Sequence, residues 1–111
     1  MRVIDIKSDM PIVRDAIARL NYEIIGCKKT EKIVKVLHGY GSTGVGGGIK
    51  KATHHELKRL KTSKMIKDFI PGEGFDLLSG YSSVIAKYKE LLKSDSDYGR
   101  SNDGITYVIL K

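Results

Sequence analysis

The stretch Lys32-Ile33-Val34-Lys35-Val36-Leu37-His38-Gly39-Tyr40-Gly41-Ser42-Thr43-Gly44-Val45-Gly46-Gly47-Gly48-Ile49-Lys50-Lys51 decides the fold. Its first six residues, Lys32 to Leu37, are dominated by β-branched and apolar side chains and read as a buried strand. Its last three open a helix whose apolar stripe is Ile49, Ala52, Thr53, Leu57 and Leu60, with Lys50, Lys51, His54, Lys58 and Arg59 facing outward. The loop between them, His38 to Gly48, holds six of the 12 glycines of the chain. A strand that runs through a short loop into a helix is the first half of a βαβ crossover.

Working outward from this unit, strands and helices alternate. Arg2 to Lys7 suits a first strand, with Val3, Ile4 and Ile6 apolar. In Ser8-Asp9-Met10-Pro11, Asp9 is placed to cap a helix and Pro11 is tolerated in its first turn. Val13, Ala16, Ile17, Leu20 and Ile24 recur at helical spacing, and Gly26 marks the helix end. Lys64 to Ile70 reads as a third strand stopped by Pro71-Gly72, and Gly104 to Leu110 as the last one. Between them Val84, Ile85, Tyr88, Leu91 and Leu92 predict a helix over Ser82 to Lys93. The polar run Ser94 to Asp103 that follows predicts a mobile loop. The order βαβαβ(α)β predicts an α/β fold of the two-layer α+β kind, a mixed four-stranded sheet with helices packed on it. With 111 residues, no internal repeat and no linker, residues 1–111 read as one domain.

Charge narrows the class of partner. The chain has 20 Lys+Arg against 13 Asp+Glu, a net charge of +7. From Lys28 to Lys67 eleven basic residues face only Glu31 and Glu56, so this stretch carries +9 and the remainder −2. Segregation of this kind is an electrostatic footprint for nucleic acid, although Lys-rich solvated helix faces would give the same count. No apolar run approaches the roughly 18–20 residues of a membrane span. The start, Met1 to Ile6, interrupts its apolar residues with charge and does not read as a secretory leader. Cys27 is the only cysteine, which predicts a reducing, cytoplasmic setting.

The glycine-rich loop is where chemistry is expected. Glycines let backbone N–H groups come close to a ligand, and the loop leads into a helix N-terminus near Lys50 and Lys51. Amides, helix dipole and ammonium groups then converge as a phosphate site. Gly39-x-Gly41-x-x-Gly44 matches the dinucleotide fingerprint only formally. It follows the second strand, and Lys64 stands where an acidic residue belongs. A P-loop is absent, because no Gly is followed by Lys-Ser or Lys-Thr. An extended phosphate backbone suits the basic stretch better than a nucleotide cofactor.

The stretch Lys35 to Lys50 resembles the His-Gly-x-Gly signature of the small MutS-related (Smr) domain, and the order of elements agrees with that family if Tyr81 to Asp103 is a helical insertion. The resemblance implies a fold similar to the C-terminal domain of bacterial translation initiation factor three. It also implies nucleic-acid binding and endonucleolytic cleavage of DNA or RNA, as in proteins of mismatch repair and ribosome rescue. The family's second motif, Leu-Asp-Leu-His-Gly, falls on Ile4-Asp5-Ile6-Lys7-Ser8, so its Asp is kept while its His has become Lys7 and its Gly Ser8. An unperturbed Lys stays charged at neutral pH and does not replace a His in proton transfer, although it can stabilise phosphorane charge.

The resemblance therefore assigns His38 as general acid or base and Asp5 as an orienting, water-positioning or metal-binding group. The bland alternatives are a strand-end His bonded to backbone and an Asp capping its own turn. Phosphate contacts fall to Lys7, Gly39, Gly41, Gly44, Gly46, Gly47, Gly48, Lys50 and Lys51. Tyr40 would stack on an unpaired base, worth about 1–3 kcal/mol, or pack on the sheet edge. No cofactor is required, and a divalent cation, Mg or Mn, is expected at most at Asp5. His54 and His55 are adjacent and diverge on a helix, which argues against a metal pair. Three readings stand: an endonuclease acting on DNA or RNA, a non-catalytic nucleic-acid- or ribosome-binding module, and a binder of small phosphates, which segregated charge disfavours.

Overall fold

The computed structural model describes residues 1–40 and 44–111, with the side chains of all but 44–47. Its elements are β1 (Arg2–Asp5), α1 (Val13–Cys27), β2 (Ile33–Leu37), α2 (Gly44–Thr62), β3 (Asp68–Pro71), α3 (Ser82–Leu92) and β4 (Ile105–Ile109). The four strands form one mixed sheet in the order β1-β2-β4-β3. β1 and β2 are parallel, and β4 lies antiparallel between β2 and β3. β1, β2 and β3 therefore end at the same edge of the sheet, and β4 begins there.

Alternation along the strands sorts the core into two clusters. Ile4, Val34, Val36, Phe69 and Val108 face α1 and α2, meeting Leu20, Ile24, Leu57 and Leu60. Ile33, Ile70, Ile105, Tyr107 and Ile109 face the other way and meet Tyr88 and Leu92 of α3. The second cluster corrects the two-layer expectation: α3 covers β2, β4 and β3 on the opposite face and adds a partial third layer. β1 is left bare there, with Val3 exposed.

The other departures are local. Asp9 does not cap α1. It and Met10 adopt left-handed φ of 67° and 47° in the turn, and the N-cap is Ile12, with no side-chain bond. Gly26 lies within α1, which runs on to Cys27 because nothing at Gly26 requires the left-handed conformation that ends helices. The third strand begins at Asp68, since the amides of Lys64, Met65 and Ile66 still bond back to Lys61 and Leu60 of α2. Pro71 ends that strand without stopping it early, because β3 is an edge strand and tolerates a missing N–H. The polar run 94–103 is no loose tether. Asp95 and Asp97 both take the buried Lys35 ammonium, at 3.1 and 2.8 Å, and Tyr107 Oη donates to Asp95 at 2.6 Å.

Candidate functional site

At the edge where β1, β2 and β3 end, the loops named by the sequence do come together. Ile6 N donates to Leu37 O at 3.1 Å, and the His38 and Gly39 amides both donate to Gly104 O at 3.1 Å. Gly39 sits at φ +83°, a conformation that calls for glycine, and a Cβ there would lie 3.6 Å from Lys7 Cδ. The Lys7 stem thus runs alongside Gly39 with its ammonium exposed. Tyr40 is 64% exposed. Its ring edge lies over Gly104, where an added Cβ would approach it to 3.2 Å. The aromatic both packs on the sheet edge and presents a free face.

The glycines are distributed differently from the expectation. α2 starts at Gly44, so Gly44, Gly46, Gly47 and Gly48 belong to its opening turns and not to a loop. Gly41 lies outside the described residues, and Gly44, Gly46 and Gly47 are described in backbone only. Gly48 has a packing reason: a Cβ there would come within 3.1 Å of Val13 Cγ2 on α1. With the N-terminus moved back to Gly44, Lys50 and Lys51 lie in the second turn, roughly 9 Å along the axis from the first residue. Lys50 turns inward and pairs with Glu73 at 2.8 Å, while Lys51 is exposed.

His38 is fully buried, at 0% exposure. Nδ1 lies 2.8 Å from Gly39 O and Nε2 2.8 Å from Thr106 Oγ1. Because a carbonyl only accepts, Nδ1 carries the proton and Nε2 accepts from the Thr106 hydroxyl. The Thr106 oxygen then accepts from His54 Nε2 at 3.0 Å. The result is a chain from His54 through Thr106 and His38 to Gly39, with the two imidazoles edge to face at 5.4 Å. Burial pushes the His38 pKa down to about 4, helped by His54 and Lys50 and only partly opposed by the Gly39 carbonyl and Glu73. Burial lowers His54 as well, against the pull of Glu73. Both rings are neutral near pH 7, and His38 offers no nitrogen to a ligand.

Asp5 is occupied too. One carboxylate oxygen accepts from the Lys7 and Ser8 amides, each at 3.0 Å, and the other from the Ser8 hydroxyl. Burial would raise its pKa, but these bonds and the Lys7 charge hold it below the usual carboxylate range. Lys7 and Ser8 therefore close a turn that Asp5 caps. Both Asp5 oxygens are engaged, and among the described residues no three His, Cys, Asp or Glu side chains converge as metal ligands.

The spacing predicts His54 outward, yet it lies inward near Lys50 and Glu73, and both it and His38 meet Thr106, which no sequence motif marks. A legible signal exists for His54. It stands three residues before the buried Leu57 and one after the buried Thr53, at the border of the apolar stripe. His55, Lys58 and Arg59 are exposed as expected, and Cys27 is buried with its thiol pKa raised by that burial. No helix among the described residues is long and apolar enough to cross a membrane. No protein-family model matches the chain, and neither a curated protein nor a solved structure matches it.

Proposed function

We propose that the chain is a nucleic-acid-binding module of the small MutS-related kind that holds a phosphate backbone at this sheet edge and does not cut it. The observation that carries the reading is an asymmetry at the site. The groups suited to binding, Lys7, Tyr40 and Lys51, are exposed, while the two groups suited to chemistry, His38 and Asp5, are engaged in the protein's own hydrogen bonds. Lys7 and Lys51 supply point charges, the Gly39 turn keeps the backbone free of a side chain beside Lys7, and Tyr40 offers a stacking face. With the α3 segment set aside as an insertion, the βαβαββ order supports likeness to the C-terminal domain of translation initiation factor three. An unpaired, buried Cys27 fits a cytoplasmic protein, and a ribosomal RNA surface is one form the nucleic acid can take.

The test incubates the purified chain with labelled single-stranded RNA, plasmid DNA and duplex DNA, with and without Mn²⁺, and follows binding and cutting together. Salt-dependent binding without cleavage is expected, with log K falling by about 0.9 per contacted duplex phosphate, or 0.7 on a single strand, per tenfold rise in salt. Lys7→Ala with Lys51→Ala should weaken binding alike on all sequences. Cleavage that disappears in His38→Ala would replace this reading with the endonuclease. A flat salt dependence would remove nucleic acid altogether.

A further inference from the structure

The opposite edge of the sheet carries a second basic surface assembled from four separate parts of the chain. Lys32 precedes β2, Lys67 precedes β3, Lys111 follows β4, and Lys87 projects from α3. All four are exposed and line one groove of about 270 Å³, together with Tyr88, Glu90 and Leu91. The strand ends bring them together: Leu110 N donates to Lys32 O and Lys67 N to Ile109 O, each at 2.8 Å. A neighbouring groove of about 350 Å³ shares Lys67, Lys87 and Tyr88 and extends the surface past Ser83.

Its charge is unbalanced. None of these four lysines makes an ion pair among the described residues. The nearby carboxylates are otherwise occupied, Glu90 by Lys93 at 2.9 Å and Asp68 by Lys61 at 3.1 Å. Lys87 lies over the Tyr88 ring at 5.6 Å, and Lys111 donates to Lys29 O. Two of the four, Lys87 and Lys111, fall outside the basic stretch that the sequence singles out, so only the fold reveals the cluster.

We propose that this groove is a second phosphate-backbone contact, so that one molecule holds two nucleic-acid segments, one at each edge of the sheet. A small phosphate ligand fits poorly. A specific anion site presents unpaired backbone amides, and the Lys67 and Leu110 amides are already used by neighbouring strands. What remains is a set of exposed point charges, the equipment for counterion release from a polyanion. The two edges are also too far apart for a single contact point. Lys32 and Gly39 are separated by seven residues of mostly extended chain, roughly 23 Å, and they face opposite ways.

The inference rests on the nucleic-acid reading, and one experiment separates the two. Two non-complementary 20-nucleotide strands, one carrying a donor and one an acceptor dye, are mixed with the full chain, and energy transfer and anisotropy are read across a salt series. The parent should give transfer that peaks at limiting protein and fades in excess. Lys67→Glu with Lys87→Glu, both exposed and with melting checked against the parent, should abolish transfer. The slope of log K against log salt should become shallower by about 1.4, for two lost single-strand contacts. Unchanged transfer and slope in that variant, with affinity lost in Lys7→Glu and Lys51→Glu, would overturn the second contact and leave the loop-edge reading intact. Binding abolished by the groove variant but untouched by the loop-edge variant would keep the groove and overturn the loop edge. No binding by the parent overturns both.

Discussion

On one face of the sheet Lys35 is buried against Asp95, Asp97 and the Tyr107 hydroxyl; on the other, one residue along β4, Thr106 is shared between His38 and His54. The same two strands supply both clusters, and Lys35 stands directly opposite Tyr107 in the register. On the first face burial would push the lysine pKa down, but bonds from Asp97 and Asp95 outweigh it and hold the ammonium above its ordinary value. On the second face no carboxylate bonds His38 and the charge of Glu73 opposes only in part, so burial wins and the ring stays neutral. A buried basic group keeps or loses its charge according to what the facing segment brings. The Lys35 face is closed by the 94–103 segment, which supplies two carboxylates. The His38 face is closed by α2, which supplies another imidazole.

The strongest way to break this contrast is to remove the cation. Lys35→Met leaves Asp95 and Asp97 facing one another in a mostly buried site and should cost about 3–5 kcal/mol in urea unfolding. Adding Asp95→Asn should restore part of the loss, because it removes one uncompensated charge while keeping an oxygen for the Tyr107 hydroxyl. A loss below about 1 kcal/mol would mean that water already serves the cluster, as at an exposed ion pair.

Acid should separate the faces next. A base whose folded pKa is depressed contributes stability that is complete above its unfolded pKa and disappears as pH falls through the folded one. For His38 the window runs from 6.5 down to about 4, and the loss across it should approach roughly 3 kcal/mol. His54 adds a loss of the same sign. Asp95 and Asp97, with pKa values below 3.8, keep the Lys35 cluster charged until the pH is lower still. Hydrogen exchange followed from pH 7 to 4 should therefore show α2 amides opening before those of the 94–103 segment. His38→Asn should flatten the stability profile over that range, and an equally steep profile in the variant would assign the effect elsewhere.

How much of this the sequence made legible follows from the range of the forces involved. The strand–loop–helix unit from Ile33 to Thr62 was readable because apolar periodicity is local, and α3 was readable for the same reason. The layer that α3 occupies was not, because an amphipathic helix does not say which sheet face it will cover. The meeting of Lys35 with Asp95 and Asp97, sixty and sixty-two residues apart, is set by the β2–β4 register, which no local pattern encodes. Charge segregation was visible along the chain, yet it missed Lys87 and Lys111, which join the basic groove only through strand order. At the loop edge no local pattern decides between the alternatives open for His38, since its burial depends on Thr106 and α2 arriving from distant parts of the chain.

Smaller effects sharpen the contrast within the His38 face. Thr106→Val keeps the shape but removes the hydroxyl that serves both imidazoles, and should cost about 1–3 kcal/mol with His38 Nε2 left unpartnered. Gly48→Ala should move stability least and decides why that glycine is there. An Ala in a helix interior gains about 1 kcal/mol over Gly, but its methyl would sit 3.1 Å from Val13 Cγ2. Val13 is the first residue of α1 and half-buried, so it can shift by a few tenths of an ångström, and the two effects should nearly cancel. With Val13→Ala in the background the obstruction is gone, and Gly48→Ala should then stabilise by about 0.5–1 kcal/mol. The same substitution should leave nucleic-acid affinity unchanged if Gly48 serves helix packing. A drop in affinity without a change in stability would return Gly48 to the phosphate site.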